Sequence, residues 1–352
     1  MKAFEKNIRK VEPYVPGEQP QRKVIKLNTN ENPYPPAPGV TKALEEMDTD
    51  RFRLYPDPTA APLVNALADF YHVNPDQVFV GVGSDDVLSM CFLTFFNSEK
   101  PIFFPDITYS FYSVWADLYR IPYECQKLDE DFKLVKEDYY KENGGVIFPN
   151  PNAPTGIYED LSVVEDIIAH NQDVIVIVDE AYIDFAGRSA LELIDKYDNL
   201  IVVQTFSKAR SMAGMRIGYA ISNPTLIKYL NDAKYSFNSY TMNQTSIVCG
   251  VEAVKDKEYF ENGVRKIVET REWAKEELTK LGFTYLDSGS NFIFAKHPKY
   301  DAKELFEALK AHDIYVRFWG SERIEQYMRI TIGTREEMEQ LFAFLKDYMK
   351  NK

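Results

Sequence analysis

Thr205-Phe206-Ser207-Lys208-Ala209-Arg210-Ser211-Met212-Ala213-Gly214-Met215-Arg216-Ile217-Gly218 is the stretch whose reading decides the fold. It follows Leu200 to Val203, an apolar run with the length of a buried strand. A lysine therefore stands just past a strand end, with two hydroxyls on one side and an arginine on the other. Such a lysine suits imine chemistry, in which an amine condenses with a carbonyl carbon. Hydroxyls and a guanidinium suit a phosphate, which takes directional, charged hydrogen bonds. Ser-Lys alone is equally compatible with an ordinary strand-to-loop segment carrying solvated bases, so the rest of the chain has to decide.

Moving outward, the same rhythm recurs upstream. Val78-Phe79-Val80 is a short apolar strand running into Gly81-Val82-Gly83-Ser84-Asp85-Asp86 and a helix through Phe96. Gly83 permits close backbone approach, and Ser84-Asp85 open a helix with N–H groups free for an anion. A dinucleotide fingerprint would need a third glycine where Asp86 stands. Ile102-Phe103-Phe104 ends in Pro105-Asp106-Ile107-Thr108-Tyr109, whose aromatic ring can stack on a flat heterocycle or simply join the core. Val146-Ile147-Phe148 leads into Pro149-Asn150-Pro151-Asn152-Ala153-Pro154-Thr155-Gly156, and Ser162 with Glu165 forms an expected capping box. Val174 to Val178 is continuously apolar, as a central parallel strand should be, and stops at Asp179-Glu180-Ala181-Tyr182. A carboxylate there is costly unless a cation meets it or it caps the next turn.

Five apolar strands alternating with helices predict an open, mainly parallel α/β sheet. Ligands of such sheets bind beyond the carboxyl ends of the strands. That rule gathers Ser84, Tyr109, Asn152, Asp179 and Lys208 at one crevice. A phosphate cradle, a stacking ring, a carboxylate and an imine-forming amine together match pyridoxal 5′-phosphate, which uses a lysine Schiff base and a carboxylate partner for its ring nitrogen.

Length and composition set the outer limits. A chain of 352 residues, 45% hydrophobic and 27% charged, has room for one large and one small domain. A net charge of −13 disfavours nucleic acid or an anionic membrane as partner. Cys91, Cys125 and Cys249 are widely spaced and the four histidines scattered, so neither a disulfide framework nor a metal site is expected, and a reducing cytoplasm is. Residues 1–10 carry charges throughout and do not read as a signal peptide, and no apolar run reaches the length of a membrane span. Residues 1–40 are irregular and proline-rich, and read on composition as a tail, or else as an arm over a cleft. Beyond Pro224 a long helix is expected over 258–281, stopped by Gly282. Short strands, a helix over 302–311 and a last helix capped by Thr334 and Glu337 complete a smaller α+β unit. It contains Arg317 and Arg329 in or beside strands, where arginines are commonly solvated but would grip an anion if they faced a cleft.

These residues resemble the class II pyridoxal-phosphate-dependent aminotransferases of fold type I, and within them the histidinol-phosphate aminotransferases. The resemblance spans nearly the whole chain. It rests on Leu27-Asn28-Thr29-Asn30-Glu31-Asn32-Pro33, Tyr55-Pro56-Asp57, Gly83-Ser84-Asp85, 149–156, 178–182, 207–218 and Met328-Arg329-Ile330-Thr331-Ile332-Gly333-Thr334-Arg335-Glu336-Glu337. It implies a large cofactor-binding domain over 39–250, a small domain over 251–352, and an arm over 1–38 packing with the small domain and a partner subunit. It implies that Lys208 binds the cofactor covalently and later shuttles a proton. Asp179 would pair with the ring nitrogen, Tyr182 with the ring hydroxyl, and Tyr109 would stack on the ring. Ser84 and Asp85, Thr205, Ser207 and Arg216 would hold the phosphate, joined by Tyr55 from the other subunit of a homodimer. Arg329 would grip the substrate anion with help from Arg317, and Tyr14 and Asn30 would lie at the entrance. Ala153 stands where the family has an asparagine on the ring hydroxyl, leaving that contact to Tyr182, Asn152 or a water, and Ile107 replaces a proline before Thr108-Tyr109.

The implied reaction is amino transfer from L-histidinol phosphate to 2-oxoglutarate, in histidine biosynthesis, between a small-molecule amino donor and a 2-oxo acid. The alternatives are an aromatic or other amino acid aminotransferase, a threonine-phosphate decarboxylase, for which a His-Gly-Gly stretch is missing, and a non-catalytic nucleotide-binding α/β module.

Overall fold

The computed structural model describes residues 2–351. Met1 and Lys352, the outer ends of the expected arm and small domain, lie outside the described residues. The arm carries a 3₁₀ turn at Ala3–Asn7 and the short strand β1 (Ile25–Lys26). Helices α1 (Pro38–Glu45) and α2 (Ala61–Tyr71) both hold proline in their first turn, where its missing N–H costs nothing. Then come β2 (Val78–Gly81), α3 (Ser84–Phe95), β3 (Ile102–Pro105), α4 (Phe111–Tyr119), β4 (Tyr123–Gln126), β5 (Val146–Pro149) and α5 (Leu161–Ala169). The chain continues through β6 (Val176–Asp179), β7 (Leu200–Thr205), β8 (Gly218–Ile221), α6 (Pro224–Phe237) and α7 (Gln244–Lys255). After α8 (Lys257–Lys280) it closes with β9 (Thr284–Tyr285), β10 (Phe292–Lys296), α9 (Ala302–Ala311), β11 (Ile314–Tyr315), β12 (Arg317–Phe318), β13 (Met328–Thr331) and α10 (Arg335–Lys350).

Seven strands form the large sheet in the order β2-β8-β7-β6-β5-β3-β4. Only β8 runs antiparallel to its neighbours, β7 and β2. Strands β2, β3, β5, β6, β7 and β8 are buried along their whole length, so both faces are covered. Alternate residues serve the two faces. Val146, Phe148, Val176, Val178, Leu200 and Val202 pack with α1, α2, α5 and α7, while Ile147, Ile177, Ile201 and Val203 pack with α3, α4 and α6. Two strands go beyond the five expected from sequence. In β4, Tyr123, Glu124 and Cys125 are exposed on an edge, so no apolar run marks it. β8 is a four-residue strand with a glycine at its start, too short for periodicity to reveal.

The second body packs α8, α9 and α10 against the antiparallel sheet β12-β13-β10-β9 around Ile267, Leu278, Phe292, Ile293, Leu305, Ile330, Leu341 and Phe342. Gly282, at φ +82°, ends the long helix as its position predicts. Thr334 and Glu337 form the expected capping box. The box at Ser162 does not form. Asp160 caps α5 instead, accepting the Ser162 N–H at 2.9 Å, and Glu165 turns to Lys196 and Tyr197. Helix α7 packs on α1 and α2 and carries the large body to Lys255, across the boundary expected at residue 250.

The first forty residues are packed along the molecule, unlike the tail that composition alone favours. β1 pairs in parallel with β11, the Leu27 carbonyl accepts the Thr331 N–H at 3.0 Å, and the Asn291 amide donates to the Asn30 carbonyl at 3.0 Å. Backbone pairing, which composition does not encode, fixes the segment.

Gly218 lies opposite both Gly81 and Thr205, and a Cβ there would collide with the backbone of Gly83 and Ser84. Gly218→Ala is expected to cost about 2–4 kcal/mol, because backbone cannot yield as a flexible side chain can. Urea unfolding of the variant against the parent measures this.

Candidate active site

The parallel strands of the large sheet deliver their last residues to one edge: Gly81, Pro105, Pro149, Asp179 and Thr205. The antiparallel β8 begins at that same edge, which brings Arg216, two residues before it, to the cluster. There a cavity of about 630 Å³ opens between the sheet edge and the second body. Tyr14, Asn30, Tyr109, Tyr182, Lys208, Arg317 and Arg329 all line it.

Lys208 Nζ donates to the Thr29 carbonyl at 3.3 Å and lies 5.8 Å from the centre of the Tyr182 ring. Asn32 bridges the Lys208 and Ala209 carbonyls at 3.0 and 3.3 Å, so the early Asn28-Thr29-Asn30-Glu31-Asn32 segment frames the lysine. Asn30 donates to the Tyr182 hydroxyl at 2.8 Å and is itself held by Thr331 Oγ1. The Asn30 amide thus fixes the Tyr182 side chain, a different contact from the one expected of an amide at position 153.

Asp179 is 4% exposed and forms no ion pair among the described residues. Its carboxylate accepts the Tyr112 hydroxyl at 2.8 Å and the Ala181 N–H at 3.2 Å, so it caps the turn as well as facing the site. Burial pushes its pKa up to about 6 against those two hydrogen bonds, which favour the charged form. The neighbouring Glu180 is pushed up to about 7 by burial. It accepts from Ser189, Ala190 N–H and Gln204 at 2.5, 2.6 and 2.8 Å, clamping the ends of β6 and β7 together.

The phosphate-type cluster lies beside these groups. Thr205 Oγ1 donates to Ser207 Oγ at 3.0 Å and accepts the Ser207 N–H at 3.1 Å. Ser84 and Asp85 open α3, whose first N–H groups have no acceptor within the helix. Gly83 sits at φ +85°, and a Cβ there would run into the Arg216 guanidinium. The Asp85 carboxylate pairs with Arg216 at 3.2 Å and accepts the Tyr109 hydroxyl at 2.8 Å.

Asn152, like the phosphate-type cluster and Asp179, is not among the residues that line the cavity. Its amide donates to the Ile107 carbonyl at 2.9 Å and Thr155 Oγ1 at 3.0 Å, and its oxygen accepts from Thr108 at 3.1 Å. Within one chain Tyr55 is 81% exposed, stacks on Tyr240 at 4.5 Å and does not line the cavity.

Sequence reading missed Tyr112, which holds Asp179, and Trp319 and Arg323 on the cavity wall. Tyr112 lies within an apolar helix pattern that marks it as core. Arg323 lies in an irregular loop, yet its guanidinium crosses to Asp106 at 3.0 Å and to the Leu128 and Asp129 carbonyls at 3.0 and 2.6 Å. It ties the loop between β12 and β13 to the loop carrying Tyr109.

An amine and a buried acid at neighbouring strand ends, under a smaller α+β body, define an enzyme of the fold-type I pyridoxal-phosphate class. The family model described as aminotransferase class I and II matches residues 22–345. The chain belongs to that family. A histidinol-phosphate aminotransferase of Lactococcus lactis subsp. cremoris (strain MG1363) is 52% identical over 351 residues, covering 99% of each chain. Solved structures share the fold. The histidinol-phosphate aminotransferase of Sinorhizobium meliloti in complex with pyridoxal-5′-phosphate superposes with a TM-score of 0.84 at 24% identity, covering 94% of this chain and 92% of that one. The L-threonine-O-3-phosphate decarboxylase of Porphyromonas gingivalis does so at 0.80 and 20% identity, covering 93% and 100%. Backbone shape is thus shared between transaminase and lyase, and the chemistry has to be read from side chains.

Among the described residues no cluster of His, Cys, Asp or Glu could hold a metal ion, and no helix is long and apolar enough to cross a membrane.

Because burial raises the pKa of Asp179 and Glu180, both bind a proton more tightly in the folded than in the unfolded chain. Their contribution to stability is therefore lost as pH rises from about 4 through 7. In the cofactor-free protein Asp179→Asn should remove part of that loss, worth about 1–3 kcal/mol at pH 8 for a shift near two units. The same variant should lower turnover by about two to three orders of magnitude. Denaturant titrations at pH 5 and 8, beside steady-state rates, separate the two effects.

Proposed function

We propose that this chain catalyses pyridoxal-phosphate-dependent amino transfer from L-histidinol phosphate to 2-oxoglutarate, giving imidazole acetol phosphate and L-glutamate in histidine biosynthesis. The observation that carries this reading is Arg329. Its guanidinium reaches the cavity that holds Lys208, and among the described residues its Nε is buried without a partner while Nη2 donates to the Asn28 carbonyl at 3.0 Å. A buried donor left unmade is expensive, so a ligand anion is its natural acceptor. The end-to-end identity with the Lactococcus protein supports the same substrate.

The donor set fits pyridoxal 5′-phosphate. A buried carboxylate without a cation, a nearby amine, and a hydroxyl-guanidinium cluster beside a glycine that only Gly can occupy match its ring nitrogen, aldehyde and phosphate. When bound, the cofactor supplies an electron sink for the bonds at the substrate's α-carbon. Lys208 is the residue to hold it covalently and to move the proton at that carbon. Asp179, positioned by Tyr112, would keep a ring nitrogen protonated, and that positive charge would pull the acid back toward its ionised form. Tyr182, positioned by Asn30, would donate to the ring hydroxyl, and Tyr109 would cover the ring. Ser84 and Asp85 N–H groups, Thr205, Ser207 and Arg216 would hold the phosphate. Arg329 and Arg317 would receive the substrate's phosphate in one half-reaction and the distal carboxylate of the 2-oxo acid or glutamate in the other, with Tyr14 and Asn30 at the entrance.

A homodimer completes this reading. Tyr55 does not line its own chain's cavity, and it stacks on Tyr240 with exposed Phe52 and Leu54 flanking it in sequence, apolar surface suited to a second copy. The three free cysteines accord with a cytoplasmic location. The division into arm, large body and small body at residues 38 and 250 belongs to the same reading.

Lys208→Ala should abolish turnover, leaving less than about one part in a thousand of the rate. A half-reaction screen of histidinol phosphate, phenylalanine and threonine phosphate decides the substrate. Fastest amino transfer from histidinol phosphate is expected, whereas carbon dioxide release from threonine phosphate would move the chain to the lyases. Sedimentation should show a dimer, weakened by Tyr55→Asp.

A further inference from the structure

Arg317 and Arg329 are register partners on the paired antiparallel strands β12 and β13. Directly opposed residues have Cβ atoms roughly 5 Å apart, and like charges placed so repel each other. Among the described residues neither guanidinium meets a carboxylate. Arg317 donates to the Val15 carbonyl at 3.3 Å and Arg329 to the Asn28 carbonyl at 3.0 Å. Burial, with Arg317 adding to it, lowers the pKa of Arg329. What both share is an indole. The Trp319 ring centre lies 5.3 Å from the Arg317 guanidinium carbon and 5.1 Å from that of Arg329, and Phe292 lies 5.2 Å from Arg329. Trp319 stands just past the end of β12, two residues after Arg317. It also lines the cavity.

We propose that Trp319 is a positioning residue that sets specificity: its π face replaces a counter-anion, holding two opposed guanidiniums together with their donors free for a dianionic phosphate monoester. A carboxylate in that place would neutralise the pair and occupy the same N–H groups. An aromatic face attracts the cations without taking their hydrogen bonds. The doubled charge then favours a dianion over a singly charged carboxylate, which one guanidinium satisfies bidentately. This inference rests on the substrate reading above and adds the residue that sets the preference between its two substrates.

The test uses the holoenzyme with inorganic phosphate as probe, and Trp319→Leu, Trp319→Met and Trp319→Phe. Leu and Met remove the π face at moderate cost in volume, and two such variants guard against one that misfolds. A cation–π contact at a partly desolvated site corresponds to about a tenfold change in affinity. Leu and Met should therefore raise the phosphate Kd by calorimetry, and the KM for histidinol phosphate, about tenfold. Trp319→Phe should stay within about threefold, as should the KM for 2-oxoglutarate and kcat in all three variants. Unchanged phosphate binding in Leu and Met overturns the proposal, and so does an equal rise in KM for both substrates or a Phe variant as impaired as Leu. If the parent enzyme binds phosphate through Trp319 but does not turn over histidinol phosphate, the substrate reading fails while the role of the indole stands.

Discussion

The structure depends on one unfavourable burial. Asp179 closes the central strand of a sheet covered on both faces, in no ion pair among the described residues and with its pKa pushed up to about 6 by burial. An interior would ordinarily exclude such a group or neutralise it. Here the fold spends several elements on keeping it: Tyr112 from α4, the Ala181 N–H, and the Glu180 clamp that ties the ends of β6 and β7. Stability is given up so that a carboxylate waits, oriented, beside the amine of Lys208. A cationic ring nitrogen would resolve the imbalance, which is the physical ground for the proposal that the acid and the amine serve one cofactor.

The same pattern of uncompensated charge recurs at the far side of the cavity with the sign reversed. Arg317 and Arg329 are set opposite one another and supported by rings in place of acids. The paired guanidiniums border a space of about 630 Å³ that Tyr14, Tyr109 and Tyr182 line with aromatic surface. The arm belongs to this frame, since Asn28, Thr29, Asn30 and Asn32 each bond a group at the site or the strand behind it.

Much of this was legible in the sequence because strand ends carry their own signal. Continuous apolar runs stopping at Asp179, Thr205 or Gly81 announce buried parallel strands, and topology alone then brings their terminal residues together. What escaped was set by geometry that periodicity cannot encode. β8 is short and antiparallel, so the arrival of Arg216 at the sheet edge is explained by its strand only in three dimensions. Asn152 stands in a polar loop, and its hydrogen bonds join that loop, at Thr155, to the loop after β3, at Ile107 and Thr108. Tyr112 was hidden in an amphipathic helix where aromatic residues normally mean core, and Arg323 and Trp319 sat in a loop with no pattern at all. Composition favours a tail over residues 1–40 because the order of that segment comes from backbone pairing with β11 and β13, which composition does not carry.

The most direct measurement is chemical. Pyridoxal 5′-phosphate is added to the purified protein, the complex is reduced with borohydride, and the digested chain is mapped by mass spectrometry. The phosphopyridoxyl group should be found on the peptide containing Lys208, with the label greatly diminished when Asp179 is replaced by alanine. Labelling of surface lysines at random, or a label on Lys208 indifferent to Asp179, would contradict the pairing of this amine with this acid.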